Sequence, residues 1–218
     1  MARDTPRTTP APICTLRDVA SDASSGSYGP RRALLVVDVQ NDFVDPAGSL
    51  SVPGGEEVVA VANEEAAKAQ NAGAKVVYSQ DWHPPETPHF ALQGGPWPVH
   101  CVRGTWGARF HPRLVVSGEV VRKGTGGEDG YSAFTVRDPR SGEERPTRLI
   151  TVLRALGVTD LVIVGLATDY CVLASGLDAA RLGLGVTVLR DGVRAVDVSP
   201  GDGDRALAQL AAAGVDIT

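Results

Sequence analysis

The feature that most constrains this chain is a short apolar run ending in an acid, Ala33-Leu34-Leu35-Val36-Val37-Asp38, matched in kind by Asp160-Leu161-Val162-Ile163-Val164-Gly165. A run this short with no polar residue between its aliphatics has no wet face. It reads as a strand buried on both sides, as in a parallel sheet. Ala74-Lys75-Val76-Val77-Tyr78-Ser79, Glu119-Val120-Val121-Arg122, Val186-Thr187-Val188-Leu189-Arg190 and a short Val215-Asp216-Ile217 predict further strands. Between them lie helical patterns. Residues 55–72 carry Val58, Val61, Ala62, Glu65, Ala66 and Ala69 at helical spacing and stop at Gly73. Thr147 to Leu156 stops at Gly157, Asp169 to Leu182 stops at Gly183, and Asp202 to Ala213 forms the last helix. Alternating strands and helices predict an α/β fold, three-layer α/β/α with a central, mainly parallel sheet.

A length of 218 residues suits one domain with a full core. Residues 1–30 are rich in Pro, Ser, Thr, Ala and Asp, and are expected to be a flexible N-terminal extension to a domain over 31–218. The net charge of −5 and pI of about 5.4 argue against nucleic acid or an anionic membrane as partner. Cys14, Cys101 and Cys171 make no even disulfide framework, and no long apolar run opens the chain. A cytoplasmic protein with reduced thiols is expected; a homo-oligomer is compatible with the sequence.

Two stretches break the rhythm, residues 80–117 and 124–146, both crowded with Gly and Pro and without a clear period. Long irregular connections in a compact domain are usually functional. In an open parallel sheet, ligands bind beyond the carboxyl ends of the strands. Asp38, Asp81 and the segment Gly165 to Cys171 sit at such ends.

Cys171 falls in the first turn of the helix expected from Thr168 or Asp169. Free backbone N–H groups and the helix dipole lower a thiol's pKa there and can receive an oxyanion. The alternative is a buried cysteine acting as a small hydrophobe. Cys101 is read as structural. Asp38 faces the crevice as a candidate general base, or else caps a loop. Lys123 follows a short strand and precedes a Gly-rich loop, and alone it reads first as a surface lysine. Thiol, acid and cation at one crevice would form a set for acyl transfer.

Asp81-Trp82-His83 places two metal-ligand types at i and i+2, so both can point the same way from extended chain. His83, His89, His100 and His111 are all four histidines of the protein, and they fall within one short stretch. A carboxylate with two or three imidazoles suits one divalent ion, Zn²⁺, Fe²⁺ or Mn²⁺. Histidines that only tether loops are the alternative.

These residues carry a family likeness. Over 33–218 the chain resembles nicotinamidases, within the isochorismatase-like cysteine hydrolase superfamily. Five segments match in order: Leu35 to Phe43, Asp81-Trp82-His83-Pro84, Trp97-Pro98-Val99-His100-Cys101-Val102, Arg122-Lys123-Gly124, and Gly165 to Val172. The likeness implies a triad of Asp38, Lys123 and Cys171, and metal ligation by Asp81, His83 and His100, zinc first among the candidates. In some relatives a further histidine joins at the spacing of His89; His111 matches no ligand position. It also implies a cis peptide before Ala167, with the Ala167 and Cys171 amides as oxyanion hole. Phe43 and Trp97 resemble the family's aromatic pocket; Tyr131 joins them from a loop that aligns less well. The implied substrate is a small aromatic amide, nicotinamide, hydrolysed to nicotinate and ammonia. The Gly126-Gly127-Glu128-Asp129-Gly130 insert departs from the common pattern. The rivals are another superfamily amidase acting on ureido or carbamoyl compounds, and a catalytically silent binding domain.

Overall fold

The computed structural model describes residues 27–218, and the expected extension, with Cys14, lies outside them through residue 26. Tyr28, at the end of that expected extension, donates a hydrogen bond to Glu65 Oε2 at 2.7 Å.

Strands β1 (Arg32–Val37), β2 (Val76–Asp81), β3 (Glu119–Lys123), β6 (Asp160–Leu166), β7 (Gly185–Arg194) and β8 (Asp216–Ile217) form one parallel sheet in the order β3-β2-β1-β6-β7-β8. The apolar run of β1 divides its side chains between two cores. Leu34 and Val36 pack with Val58, Ala62, Ala66 and Ala69 of helix α2 (Gly55–Asn71). Leu35 and Val37 pack with Leu149 and Leu153 of α3 (Leu149–Ala155), Ala179 of α4 (Leu173–Arg181), and Leu207 and Leu210 of α5 (Asp202–Ala212). Three layers result, as expected from strands dry on both faces. Each fully buried Leu or Val side chain contributes roughly 1.5–3 kcal/mol.

Successive strands are added to opposite sides of the β1–β6 pair, β2 and β3 beyond β1, β7 and β8 beyond β6. That switch point opens the crevice in which ligands of such sheets bind. A short helix α1 (Asn41–Val44) follows β1, and a hairpin of β4 (Thr135–Arg137) and β5 (Glu144–Pro146) lies inside the stretch expected to be irregular. The segment Thr168–Val172 is a π-helical turn leading into α4, where an α-helical start was expected. Such turns recur at functional sites.

Gly165 shows why the crevice edge needs glycine. Its φ is +125°, and a Cβ there would lie 2.1 Å from the Val37 carbonyl oxygen. Only a bare backbone lets β6 pass the end of β1 so closely. The β6–β7 register slips between Ile163 and Gly165, and the next peptide, Leu166–Ala167, is cis.

Candidate active site

Asp38 is the residue after β1, fully buried, with φ at +49°, a left-handed backbone that aspartate tolerates better than most residues. Ser79 Oγ, on β2, donates to Asp38 Oδ1 at 2.7 Å. Lys123 ends β3, and its stem reaches past the end of β2 toward β1. Its ammonium lies 2.7 Å from Asp38 Oδ2 and 3.2 Å from Asp81 Oδ1, and donates to the Gly130 carbonyl. Cys171 Sγ is 3.6 Å from the same nitrogen. Acid, ammonium and thiol thus meet across three strand ends and one helical turn. Asp38 thus faces the Lys123 ammonium through Oδ2 and Ser79 through Oδ1, with the Cys171 thiol beside the same carboxyl.

The charges respond to burial. Desolvation pushes the Asp38 carboxyl above its ordinary range, against the pull of Lys123. Burial would favour neutral Asp81 and neutral Lys123 as well. The Lys123 ammonium and the neighbouring His83 nevertheless hold Asp81 well below the usual carboxylate range, and Asp38 and Asp81 hold Lys123 well above the usual amine range. The Cys171 thiol corrects an expectation. Its position at a helix mouth was expected to lower the pKa, but burial raises it well above the usual thiol range, and Lys123 offsets this only in part. Burial thus favours the neutral thiol over the anion. The carboxyl beside it is that of Asp38.

His83, His89 and His100 each turn one ring nitrogen toward a common point, with these atoms within 4.8 Å of one another and all three residues buried. Asp81 Oδ2 lies 3.0 Å from His83 Nε2 and 3.5 Å from His100 Nε2. The His100 Nδ1–H is committed to the Pro98 carbonyl at 2.8 Å, and His89 Nδ1–H to Asp129 Oδ1 at 2.7 Å. Both rings then present Nε2 as a lone pair, the form a metal ligand needs. Burial and nearby His83 push His89 down to about 4, which keeps it neutral near pH 7. Converging lone pairs in a dry site fit a divalent cation and repel one another without a positive centre. Gly124, with φ at +70°, closes the site from behind, since a Cβ there would lie 2.6 Å from His83 Cε1. His111 is not in the cluster; its Nδ1 accepts from the Arg113 amide at 3.3 Å.

Both groups open on one cavity, Cys171 from the first and Asp81, His89 and His100 from the second. Phe43, Trp97 and Tyr131 line it, as do Ala167 and Cys171. Trp97 Nε1 donates to Tyr131 Oη at 2.8 Å, so the two aromatics form one wall.

Several participants carry no signal in the sequence, and others stand in noted segments without a role that the sequence shows. Ser79 sits in a plain strand, and its partnership with Asp38 depends on the β1–β2 register. Tyr170, Leu50 and Val196 line the cavity from separate segments. Gln40 and Asp42 stand inside a matched motif and hold backbone: Gln40 pairs with both polar groups of the Asp81 main chain at 2.7 and 2.8 Å, and Asp42 Oδ2 accepts the Cys101 amide at 2.7 Å. Asp129, in the insert, orients His89.

A family model described as "Isochorismatase domain" matches residues 32–218. The chain is 40% identical over 206 residues to the nicotinamidase of Escherichia coli (strain K12), covering 86% of this chain and 94% of that protein. It superposes with a TM-score of 0.77 on a pyrazinamidase of Pyrococcus horikoshii in complex with zinc, at 39% identity over 87% of this chain and 99% of that one. On PnC1 from L. infantum in complex with nicotinate the TM-score is 0.80, at 34% identity over 88% and 94%. With Asp38, Lys123 and Cys171 brought together beside the histidine cluster at the switch point of a parallel sheet, and the family model spanning that whole sheet, this chain belongs to the isochorismatase family.

Proposed function

We propose that the protein is a metal-dependent cysteine amidohydrolase that converts nicotinamide to nicotinate and ammonia, a step of pyridine nucleotide salvage. The observation that carries this reading is the double duty of Asp81. One oxygen lies 3.2 Å from the Lys123 ammonium and the other 3.0 Å from His83 Nε2, so the acyl-transfer set and the cation site are built against each other on one cavity.

Asp38 Oδ2 takes the Cys171 proton, and the Sγ electron pair attacks the carboxamide carbon. Lys123, 3.6 Å away, balances the sulfur charge while it exists. The Ala167 and Cys171 amides receive the oxyanion, each worth about 3–4 kcal/mol on the scale of such donors. As the tetrahedral adduct collapses, protonated Asp38 gives its proton to the amide nitrogen, the C–N bond breaks and ammonia leaves. Asp38 then takes a proton from water, whose oxygen attacks the thioester carbon. The C–S bond breaks, nicotinate leaves, and the sulfur recovers its proton from Asp38. A divalent cation held by Asp81, His83, His89 and His100, zinc or else iron or manganese, would supply a Lewis acid for the pyridine nitrogen. Phe43, Trp97 and Tyr131 clamp the flat ring, which places the carboxamide against Sγ and contributes several kcal/mol of positioning.

An ammonia-release assay with metal analysis of the same sample tests this. The panel is nicotinamide, pyrazinamide, benzamide and a ureido acid. Turnover of nicotinamide far above benzamide, which has no ring nitrogen, supports the reading; equal rates on the two, or preference for the ureido acid, contradict it.

A further inference from the structure

We propose that Asp129 is a positioning residue for the cation site, locking His89 so that Nε2 faces Asp81, His83 and His100. This rests on reading those residues as a cation site. The Asp129 side chain is 18% exposed and His89 4%, so their 2.7 Å hydrogen bond lies at the inner edge of the wall, where water competes little.

The insert is built to hold that carboxylate still. Asp129 exchanges two backbone hydrogen bonds with Arg137, at 2.7 and 3.1 Å, which anchors it beside the β4–β5 hairpin. At the other end Thr87 Oγ1 donates to the Gly127 carbonyl at 2.7 Å and accepts the His89 amide at 3.2 Å. Insert and His89 loop are thereby tied through main chain and side chain alike. An imidazole on a loop has two ring faces and two tautomers to choose between. A carboxylate at Nδ1 fixes both and raises the basicity of Nε2. The neighbouring residue, Gly130, accepts from the Lys123 ammonium. One short segment therefore sets the position of both a cation ligand and the ammonium of the triad.

The test measures Zn²⁺ affinity of the full chain by competition with a chromogenic chelator, for wild type, Asp129→Ala, Asp129→Asn, His89→Ala and the double variant with both alanines. Expected is a loss of about 10–100-fold in affinity for Asp129→Ala. Asparagine keeps a neutral acceptor for Nδ1–H and should recover part of that loss. In the His89→Ala background, Asp129→Ala should cost nothing further, since its action runs through that ring. Wild-type affinity in Asp129→Ala overturns the proposal, and so does an undiminished loss when His89 is already gone. Failure of wild type itself to bind Zn²⁺ overturns instead the cation-site reading on which the proposal stands.

Discussion

Replacing Lys123 with methionine removes one charge from a place where nothing else can supply it. The side chain is fully buried, and its ammonium stands between Asp38 Oδ2 at 2.7 Å and Asp81 Oδ1 at 3.2 Å. Methionine keeps the volume, so the cost is electrostatic. Breaking a buried pair by deleting one partner costs about 3–5 kcal/mol, because the other charge stays behind. For a domain of this size each kcal/mol moves Tm by roughly 2–4 °C, which gives a loss of about 6–20 °C. The pH dependence has a definite sign. Without the ammonium, two carboxyls face each other in a dry pocket, and one retains a proton well above the ordinary value of about 3.9. A carboxyl with a raised folded pKa costs nothing below its unfolded pKa and costs progressively more as pH rises toward the folded one. Wild-type Asp81, held low by Lys123 and His83, loses its stabilising contribution in acid. The first effect shrinks the gap between variant and wild type toward pH 5; the Asp81 contribution is lost only below its unfolded pKa of about 3.9 and is present in full at both pH values. Thermal unfolding at pH 5 and pH 8, with a chelator present, reads the result. A Tm within about 2 °C of wild type at pH 8, or a gap that widens toward pH 5, would refute the reasoning.

Cys171→Ala should abolish ammonia release while the histidine cluster still binds Zn²⁺; undiminished release would remove the cysteine from the chemistry. Because burial raises the Cys171 pKa, alkylation of that thiol by iodoacetamide in ligand-free protein should keep accelerating past pH 9. A plateau below pH 8 would show a preformed thiolate. Gly165→Ala should destabilise by about 1–3 kcal/mol or more, since φ is +125° and the added carbon meets the Val37 carbonyl; unchanged chemical denaturation would contradict the close approach. Chelation should weaken nicotinamide binding measured by calorimetry, and equal affinity in metal-free protein would exclude the cation from holding the ring.

The layers were legible because β1 and β6 are apolar on both faces and α2 keeps a helical period, so local pattern and tertiary burial agree. The site was legible where residues stand at strand ends: Asp38 after β1, Asp81 at the end of β2, Lys123 at the end of β3. What the sequence hid depends on pairing over distance. Ser79 becomes a partner of Asp38 only through strand register, and Asp129 reaches His89 across forty residues of chain. The β4–β5 hairpin is too short for a period of its own. The Cys171 thiol shows the limit of an argument from position. The helix mouth favours the anion, but the depth of the site opposes it more strongly, and no local pattern reports depth.

The covalent step is what unites thiol, acid and ammonium, and partitioning with hydroxylamine tests it directly. During turnover of nicotinamide, rising hydroxylamine should divert the acyl group from nicotinate to nicotinohydroxamate while total ammonia release holds steady. Nicotinate alone at every hydroxylamine concentration, with ammonia still released at the full rate, would mean that water attacks the amide without Cys171.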